Sequence, residues 1–394
     1  MDIIKEFNAF KTWLLDNKKN YQELLMQKPY CISTKIESFD NKKLVIFKYS
    51  QFDSDFSNSF VKLCRGLILD AISFDPISFP FIKFHNYGEP YCPEIDWKTA
   101  RVGEKLDGSL IKLVKFQDGN LLISTNGSID AFETNLQEQI GCPFSTFGDL
   151  VLEAARAEMA RKKLTVPVPK TTWLANMLKP GYTYMFELTS PYNKIVVPQT
   201  ETRLNFLGCR NNETLEETYF MDHPLAKVFR TPKVFPLGSL DDCIAAAKEL
   251  TLDHEGYVVC DAAFNRVKVK SPLYVSAHYM RSDDGSLSHR RAAELIKENQ
   301  TDEFLTYFPE FKEDFDKMRA ALDAYAAGID SAFASLSTLG PLTRKEQAAW
   351  IMANVKDMSG CMFKMLDGKV ASGRDWVYTL TADKMADILK GALP

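Results

Sequence analysis

The sequence predicts an α+β protein in two parts: antiparallel sheets with flanking helices over residues 1–281, and an all-helical region over residues 282–394. Three observations carry this. Apolar, β-branched runs separated by turn residues recur up to about residue 271. One pair of them, Lys112–Phe116 and Leu121–Thr125, flanks Gln117-Asp118-Gly119-Asn120, a strong hairpin signal. Beyond Ser271-Pro272 the period changes: Leu295, Ile296, Phe304, Leu305 and Phe308, then Phe315, Met318, Leu322 and Tyr325, recur at helical spacing. A length of 394 residues is also long for one core and suits two domains.

The elements follow in order. Residues 2–27 read as a helix interrupted at Asp16–Asn20, with Ile3, Phe7, Phe10 and Leu14 on its apolar face. Strand-like text begins near Ile32; Leu44–Tyr49 and Leu67–Asp70 are strands, the second ended by a turn with Pro76. Residues 145–178 are helical, broken by the Pro-rich stretch 165–170, and Ala160-Arg161-Lys162-Lys163 is a solvated helix end. Tyr182–Glu187, Ile195–Val197 and Leu204–Cys209 read as strands, Cys243–Leu250 as a short helix, and Glu255–Val259 and Arg266–Lys270 as two further strands.

Composition narrows the function. Charged residues are 25% and apolar residues 45%, ordinary for a soluble globular protein. No apolar run approaches the ~20 residues of a membrane span, and the charged start Met1-Asp2-Ile3-Ile4-Lys5-Glu6 is no signal peptide. Eight scattered cysteines without a Cys-x-x-Cys pair argue against a disulfide framework and a zinc site, and fit a reducing cytoplasm. A net charge of -4 excludes a protein that coats nucleic acid without selection, yet leaves room for a local basic groove.

The chemistry centres on Glu104-Lys105-Leu106-Asp107-Gly108-Ser109. A lysine at the mouth of a tight Asp-Gly turn, with a strand leading away, suits a nucleophile. An amine attacks only when neutral, and burial or a nearby positive charge lowers its pKa. Arg266, Lys268 and Lys270 alternate and so share one strand face. Turned toward Lys105, that face would meet this need and hold a polyphosphate. The plain alternative is a solvated turn lysine beside a solvated basic strand, because short motifs recur by chance. Arg65, beside Gly66 and an apolar strand, lies under a phosphate or in a structural ion pair. Glu187 ends an otherwise apolar strand, where a lone carboxylate must meet a cation, a metal-bound water or a hydroxyl. Glu255 precedes Gly256, which lets a backbone approach a ligand closely. Together Glu187 and Glu255 make a carboxylate pair that suits Mg²⁺ held largely through water, unless they pair with Arg65, Lys268 or Lys270. Asn193 and Lys194 either face a substrate or cap their turn.

Taken in order, Cys64-Arg65-Gly66, Lys83-Phe84-His85-Asn86, Lys105-Leu106-Asp107-Gly108, Phe186-Glu187-Leu188-Thr189-Ser190-Pro191, His254-Glu255-Gly256-Tyr257-Val258-Val259 and Lys268-Val269-Lys270-Ser271-Pro272 resemble the covalent nucleotidyltransferases, which are nucleic-acid ligases and RNA capping enzymes. More narrowly, the sequence resembles the phage RNA ligase 1 family, the tRNA-repair ligases of T-even phages, over most of its length and most strongly from Tyr49 to Met280. The resemblance implies a ligase-type nucleotidyltransferase domain and an ATP-dependent RNA ligase with Lys105 as the nucleophile that takes AMP. It implies Lys268 and Lys270 as catalytic cations at the α-phosphate, and Tyr49, Arg65 and Lys83 on the ATP phosphates. Glu104, Gly108, Glu187 and Val258 are the further ATP contacts it implies. Glu187 and Glu255 become ligands of Mg²⁺, with Mn²⁺ able to substitute. Leu204–Cys209 matches the family's adenine-pocket segment. The implied partner is RNA with 5′-phosphate and 3′-hydroxyl ends, tRNA foremost; a monomer without a membrane partner is expected. Two positions depart from the family: His85 stands where it commonly has phenylalanine, and Asn126 where related ligases often have a basic residue. The all-helical end contrasts with the small β-barrel usual in DNA ligases and capping enzymes. Another polynucleotide ligase or a capping-type guanylyltransferase, and a catalytically silent RNA-binding protein on the same fold, are the competing readings.

Overall fold

The computed structural model describes residues 2–51, 53–136, 141–164, 171–193, 196–279 and 288–392. The chain divides into two units, Met1–Ala277 and His278–Pro394; the expected boundary after residue 281 lies outside the described residues.

In the first unit, β1 (Ile32–Phe39), β2 (Lys42–Tyr49), β3 (Arg65–Asp70) and β4 (Pro76–Ser78) form an antiparallel sheet in that order. Ten strands follow: β5 (His85–Asn86), β6 (Arg101–Lys105), β7 (Ser109–Lys115), β8 (Leu121–Ser124), β9 (Tyr182–Thr189), β10 (Arg203–Asn211), β11 (Glu217–Tyr219), β12 (Val234–Phe235), β13 (Gly256–Cys260) and β14 (Arg266–Lys270). The second sheet has the order β11-β10-β9-β7-β8 and is antiparallel. The third has the order β12-β6-β13-β14-β5, antiparallel except where β5 joins β14.

Each sheet reads as its burial dictates. β2 is apolar at four successive positions because both of its faces are covered. Val45 and Phe47 pack with Phe7, Phe10 and Leu14 of the helix Ile3–Asp16. Leu44 and Ile46 pack with Val114 and Leu122 of the β7–β8 hairpin. The second sheet lays Ile111, Tyr184, Phe186 and Phe206 against Leu150, Val151 and Ala155 of the helix Phe147–Arg161, which starts at a Thr146–Asp149 capping box. In the third, Val102, Tyr257, Val259, Val267 and Val269 cover the helix Leu240–Lys248.

The predicted hairpin forms with Lys112 opposite Ser124 and Lys115 opposite Leu121. The strand expected at Ile195–Val197 does not: Ile195 lies outside the described residues, and Val196 and Val197 occupy a bend. Their N–H groups donate to the carboxylate of Asp107 at 2.9 and 2.7 Å instead of to a ladder. The Pro-rich stretch 165–170 also lies outside the described residues.

The second unit is helical throughout its described residues. His289–Lys297, Thr301–Tyr307, Lys312–Ser337, Arg344–Asn354, Ser359–Leu366, Gly373–Thr379 and Ala382–Ala392 are its helices. Phe304, Phe315, Leu322, Ile329, Met362 and Leu389 are among its buried side chains. No helix among the described residues is long and apolar enough to cross a membrane.

Gly256 limits how the third sheet closes. Its φ is +143°, and a Cβ there would lie 2.2 Å from the carbonyl oxygen of Val269. Gly256→Ala should therefore destabilise the protein by at least about 2 kcal/mol, read as a lower urea midpoint at unchanged slope. Wild-type stability in the variant would show that the close approach relaxes freely.

Candidate active site

The register of the third sheet sets two rows of residues. Lys105, Gly256 and Lys270 stand opposite one another across β6, β13 and β14, and so do Gly103, Val258 and Lys268. Directly opposed residues share a face of the sheet, so the lysines and Val258 project away from the helix-packed side. They enter a cleft of about 460 Å³. The second sheet supplies the facing wall through Ser109, Leu110, Glu187 and Leu207. Leu207 reaches it through a β-bulge: the β9–β10 register shifts between Phe206 and Gly208 and leaves Leu207 without a cross-strand partner.

Glu255 sits one residue before the central strand and is only 4% exposed. One carboxylate oxygen lies 2.7 Å from the Lys105 Nζ and the other 3.7 Å from the Lys270 Nζ. Glu255 thus bridges the two amines that flank Gly256 in the sheet register. Lys268 and Lys270 share the cleft with Lys105, and the Glu255 carboxylate pairs with Lys105 directly.

The Lys-x-Asp-Gly turn is pinned from two distant segments. Asp107 is buried. Besides the Val196 and Val197 N–H groups, it accepts the hydroxyl of Tyr274 at 2.9 Å. Gly108 runs against β9, where a Cβ would lie 2.2 Å from the Leu188 carbonyl oxygen. The Ser109 hydroxyl donates to Asn193 Oδ1 at 3.1 Å, and the Asn193 amide donates to the Leu188 carbonyl at 3.1 Å. Asn193 thus caps the turn, while Lys194 lies outside the described residues.

Glu187 lines the cleft opposite Lys105. Burial pushes its carboxyl up to about 8, against the pull of Lys105; Glu255 pushes the same way as burial, and Arg65 opposes it. Phe84 holds two of the cations, with Arg65 5.2 Å and Lys268 5.4 Å from its ring centre. Two polar atoms of cleft-lining residues, Arg65 Nη1 and Asn126 Oδ1, are buried without a hydrogen-bond partner among the described residues.

Of the sequence-predicted residues, Arg65, Glu104, Lys105, Gly108, Glu187, Val258, Lys268 and Lys270 line this cleft, and Glu255 is tied to it through Lys105 and Lys270. Glu104 contributes from its backbone side, because its carboxylate accepts the Lys233 N–H at 3.4 Å. Tyr49 and Lys83 stand outside. Tyr49 borders an adjoining groove that shares Arg65 and Asn126 with the cleft. Lys83 stacks 4.7 Å over Phe56 and 5.7 Å over Tyr49. Arg266, expected as a third cation beside Lys268 and Lys270, reaches the cleft wall but is buried in an ion pair with Glu217, which also binds Arg210 at 2.6 Å. His85 turns away: it pairs opposite Val267 on the core face, with Glu89 3.4 Å from its Nδ1, and burial holds its pKa below the ordinary value.

The profile of a family described as RNA ligase, of the phage RNA ligase 1 kind, matches residues 63–274, over half of the chain. The chain belongs to this RNA ligase family. A relative from Autographa californica nuclear polyhedrosis virus, named a bifunctional polynucleotide kinase/RNA ligase, is 32% identical over 71% of this chain and 39% of its own. The chain thus spans well under half the length of that relative. An RNA ligase of Rhodothermus phage RM378 is 24% identical over 74% of this chain and 75% of its own. Among solved structures, an archaeal ATP-dependent RNA ligase is similar at 13% identity and a TM-score of 0.43, covering 96% of this chain and 99% of that one.

This RNA ligase family member also lines its cleft with residues that sequence reasoning missed: Phe81, Phe84, Leu207 and Tyr219. Phe84 had a signal, because it adjoins His85 in the segment already singled out. Leu207 had none, since bulges are not written in apolar runs. Among the described residues, no group of three or more His, Cys, Asp or Glu side chains is placed to hold a metal; a cation here would have Glu187 and Glu255 alone.

Glu187 gives a pH test. Its folded-state pKa lies above its ordinary 4.5, so the folded protein binds more protons than the unfolded one between about pH 4.5 and 8, and stability falls as pH rises across that window. Glu187→Gln should lose this component: the urea midpoint of the wild type should decline relative to the variant from pH 5 to pH 8. Parallel midpoints would show that burial does not perturb Glu187.

Proposed function

We propose that this chain is an ATP-dependent RNA ligase working through AMP carried on Lys105. The observation that supports this best is the row Lys105–Gly256–Lys270 with the Glu255 carboxylate between the two amines, set in a cleft of mixed apolar and cationic lining. Phe81, Leu110, Leu207 and Val258 give the cleft apolar surface, suited to a base; Arg65, Lys268 and Lys270 give it cations, suited to phosphates. The names of the relatives point the same way.

The chemistry follows from placement. Lys105 must give up a proton before its nitrogen can attack, and the Glu255 carboxylate at 2.7 Å is within reach as the acceptor. The nitrogen bonds to the α-phosphorus of ATP, the bond to the bridging oxygen breaks, and pyrophosphate leaves with the electron pair. Lys268 and Lys270 offset charge on the α-phosphoryl oxygens, and Arg65 holds the outer phosphates. Tyr49, in the adjoining groove beyond Arg65, and Lys83, which stacks over Tyr49, meet the far end of the triphosphate. A 5′-phosphate oxygen of RNA then takes AMP from Lys105, and a 3′-hydroxyl displaces AMP to close the strand. Each step is a displacement at phosphorus, for which positioning and charge carry most of the catalysis. The two carboxylates fit Mg²⁺ or Mn²⁺, which prefer one or two such ligands together with phosphate oxygens and water; a bound ion would add positive charge at the reacting phosphate. Nicked tRNA is the RNA to which this reading extends, on the resemblance to tRNA-repair ligases, with the helical second unit as the part that selects it.

The test is covalent labelling. Protein incubated with ATP labelled at the α-phosphate plus Mg²⁺ should retain label on a denaturing gel, whereas Lys105→Ala and Lys105→Arg should retain none, arginine because it stays protonated. Label retained by either variant would remove Lys105 as the nucleophile. Label from GTP in place of ATP would turn the reading to a capping-type enzyme.

A further inference from the structure

Lys112 stands in the middle of β7 and is fully buried. Its cross-strand neighbours are Ser124 on β8 and Met185 on β9. Its ammonium donates to the carbonyl of Gly66, and it has no carboxylate partner among the described residues. The charged group facing it is a second cation, Arg65 on β3, the residue next to that carbonyl. A buried ammonium is costly unless an anion compensates it, and a cationic neighbour adds to the cost. Burial, then Arg65, pushes Lys112 down to about 7.

Arg65 shows a matching deficit. Its Nη1 is buried without an acceptor, and it makes no ion pair among the described residues. What aims it is the turn at Gly66, the extra residue in a bulge between the Phe47–Leu67 and Lys48–Arg65 pairs. Gly66 has φ +75° and packs so closely on Asn126 that a Cβ would lie 2.6 Å from the Asn126 Cα. Lys112 therefore grips the carbonyl that follows Arg65 directly.

We propose that Lys112 is a positioning residue for the phosphate end of the cleft: it fixes the Gly66 bulge so that Arg65 points into the site, and it supplies beneath Arg65 a second positive charge that a bound polyphosphate compensates. The proposal rests on the nucleotide reading given above. A mere tie between β7 and β3 would need only a donor to the Gly66 oxygen. A neutral amide could serve as that donor, without the cost of a buried charge. A charge in this position is useful when an anion arrives on Arg65.

The variants Lys112→Gln, which keeps a donor and drops the charge, and Lys112→Met, which drops both, separate these roles. Titration calorimetry with ATP and with adenosine is the readout. Lys112→Gln should weaken ATP binding roughly tenfold or more while adenosine binding stays within about twofold. The ATP gap between wild type and Lys112→Gln should be widest near pH 6.5 and narrow above pH 8, because the wild-type lysine is charged below its pKa and loses its proton as pH rises. A folded Lys112→Gln that binds ATP like the wild type at every pH would overturn the proposal and leave a structural tie. Should neither variant fold, wild-type protein carrying nitrogen-labelled lysine decides by NMR: the Lys112 titration must move to higher pH when ATP binds, and one that ATP leaves in place overturns the proposal. Wild-type protein that binds no ATP would remove the nucleotide reading itself, a separately recognisable outcome.

Discussion

At Gly256 the backbone of the central strand comes so near its neighbour that no side chain fits, and the arrangement of the cleft depends on that approach. The strand carries Lys105 on one side and Lys270 on the other, each directly opposite the glycine. A Cβ there would run into the Val269 carbonyl and the Lys270 backbone, so only glycine lets the central strand lie this close to β14. Across this close pairing the carboxylate of the preceding residue reaches both lysines. The same glycine that permits the tight sheet therefore helps set how far apart the two lysines and the carboxylate between them stand.

The cleft gathers more cations than carboxylates. Arg65, Lys105, Lys268 and Lys270 face it with Glu187 and Glu255. Burial raises the pKa of Glu187, which leaves it protonated in part at neutral pH. Glu255 is shared between two lysines. Cation–π contact with Phe84 orients Arg65 and Lys268 without neutralising them. Arg266 shows the contrast: on the same strand face, one alternation away from Lys268, it is held by Glu217 and stacks 4.5 Å over Phe81. Neighbouring positions of one basic strand thus do two jobs, and a partner on β11 decides which.

This explains what the sequence could and could not tell. Strands covered on both faces, such as β2 and β9, announce themselves by apolar runs, and the Gln-Asp-Gly-Asn turn fixes the β7–β8 register. β6 and β5 were missed because Arg-Val-Gly-Glu-Lys and His-Asn carry little β pattern; they are strands by virtue of the ladder that β13 and β14 offer them. Alternation correctly put Lys268 and Lys270 on one face with Arg266, yet it is silent on Glu217, 49 residues away in sequence. At His85, where the family commonly has phenylalanine, the register decides: β5 pairs with β14 so that His85 faces the core, and Phe84, its neighbour, faces the cleft.

The aspartate of the Lys-x-Asp-Gly turn shows why a four-residue motif can mark so much structure. Its carboxylate accepts two backbone N–H groups that follow β9 and a tyrosine hydroxyl from the helix that follows β14. Those partners lie 89, 90 and 167 residues away in the chain. One buried anion satisfied by three donors is a strong and directional constraint. It fixes the end of β6, and with it Lys105, relative to both walls of the cleft. In this turn the lysine carries the candidate chemistry, the glycine the close approach to Leu188, and the aspartate the assembly, so replacing any one of them would disturb a different part of the fold. A chance occurrence of the same letters would have none of these partners, and the partners separate this turn from a solvated one.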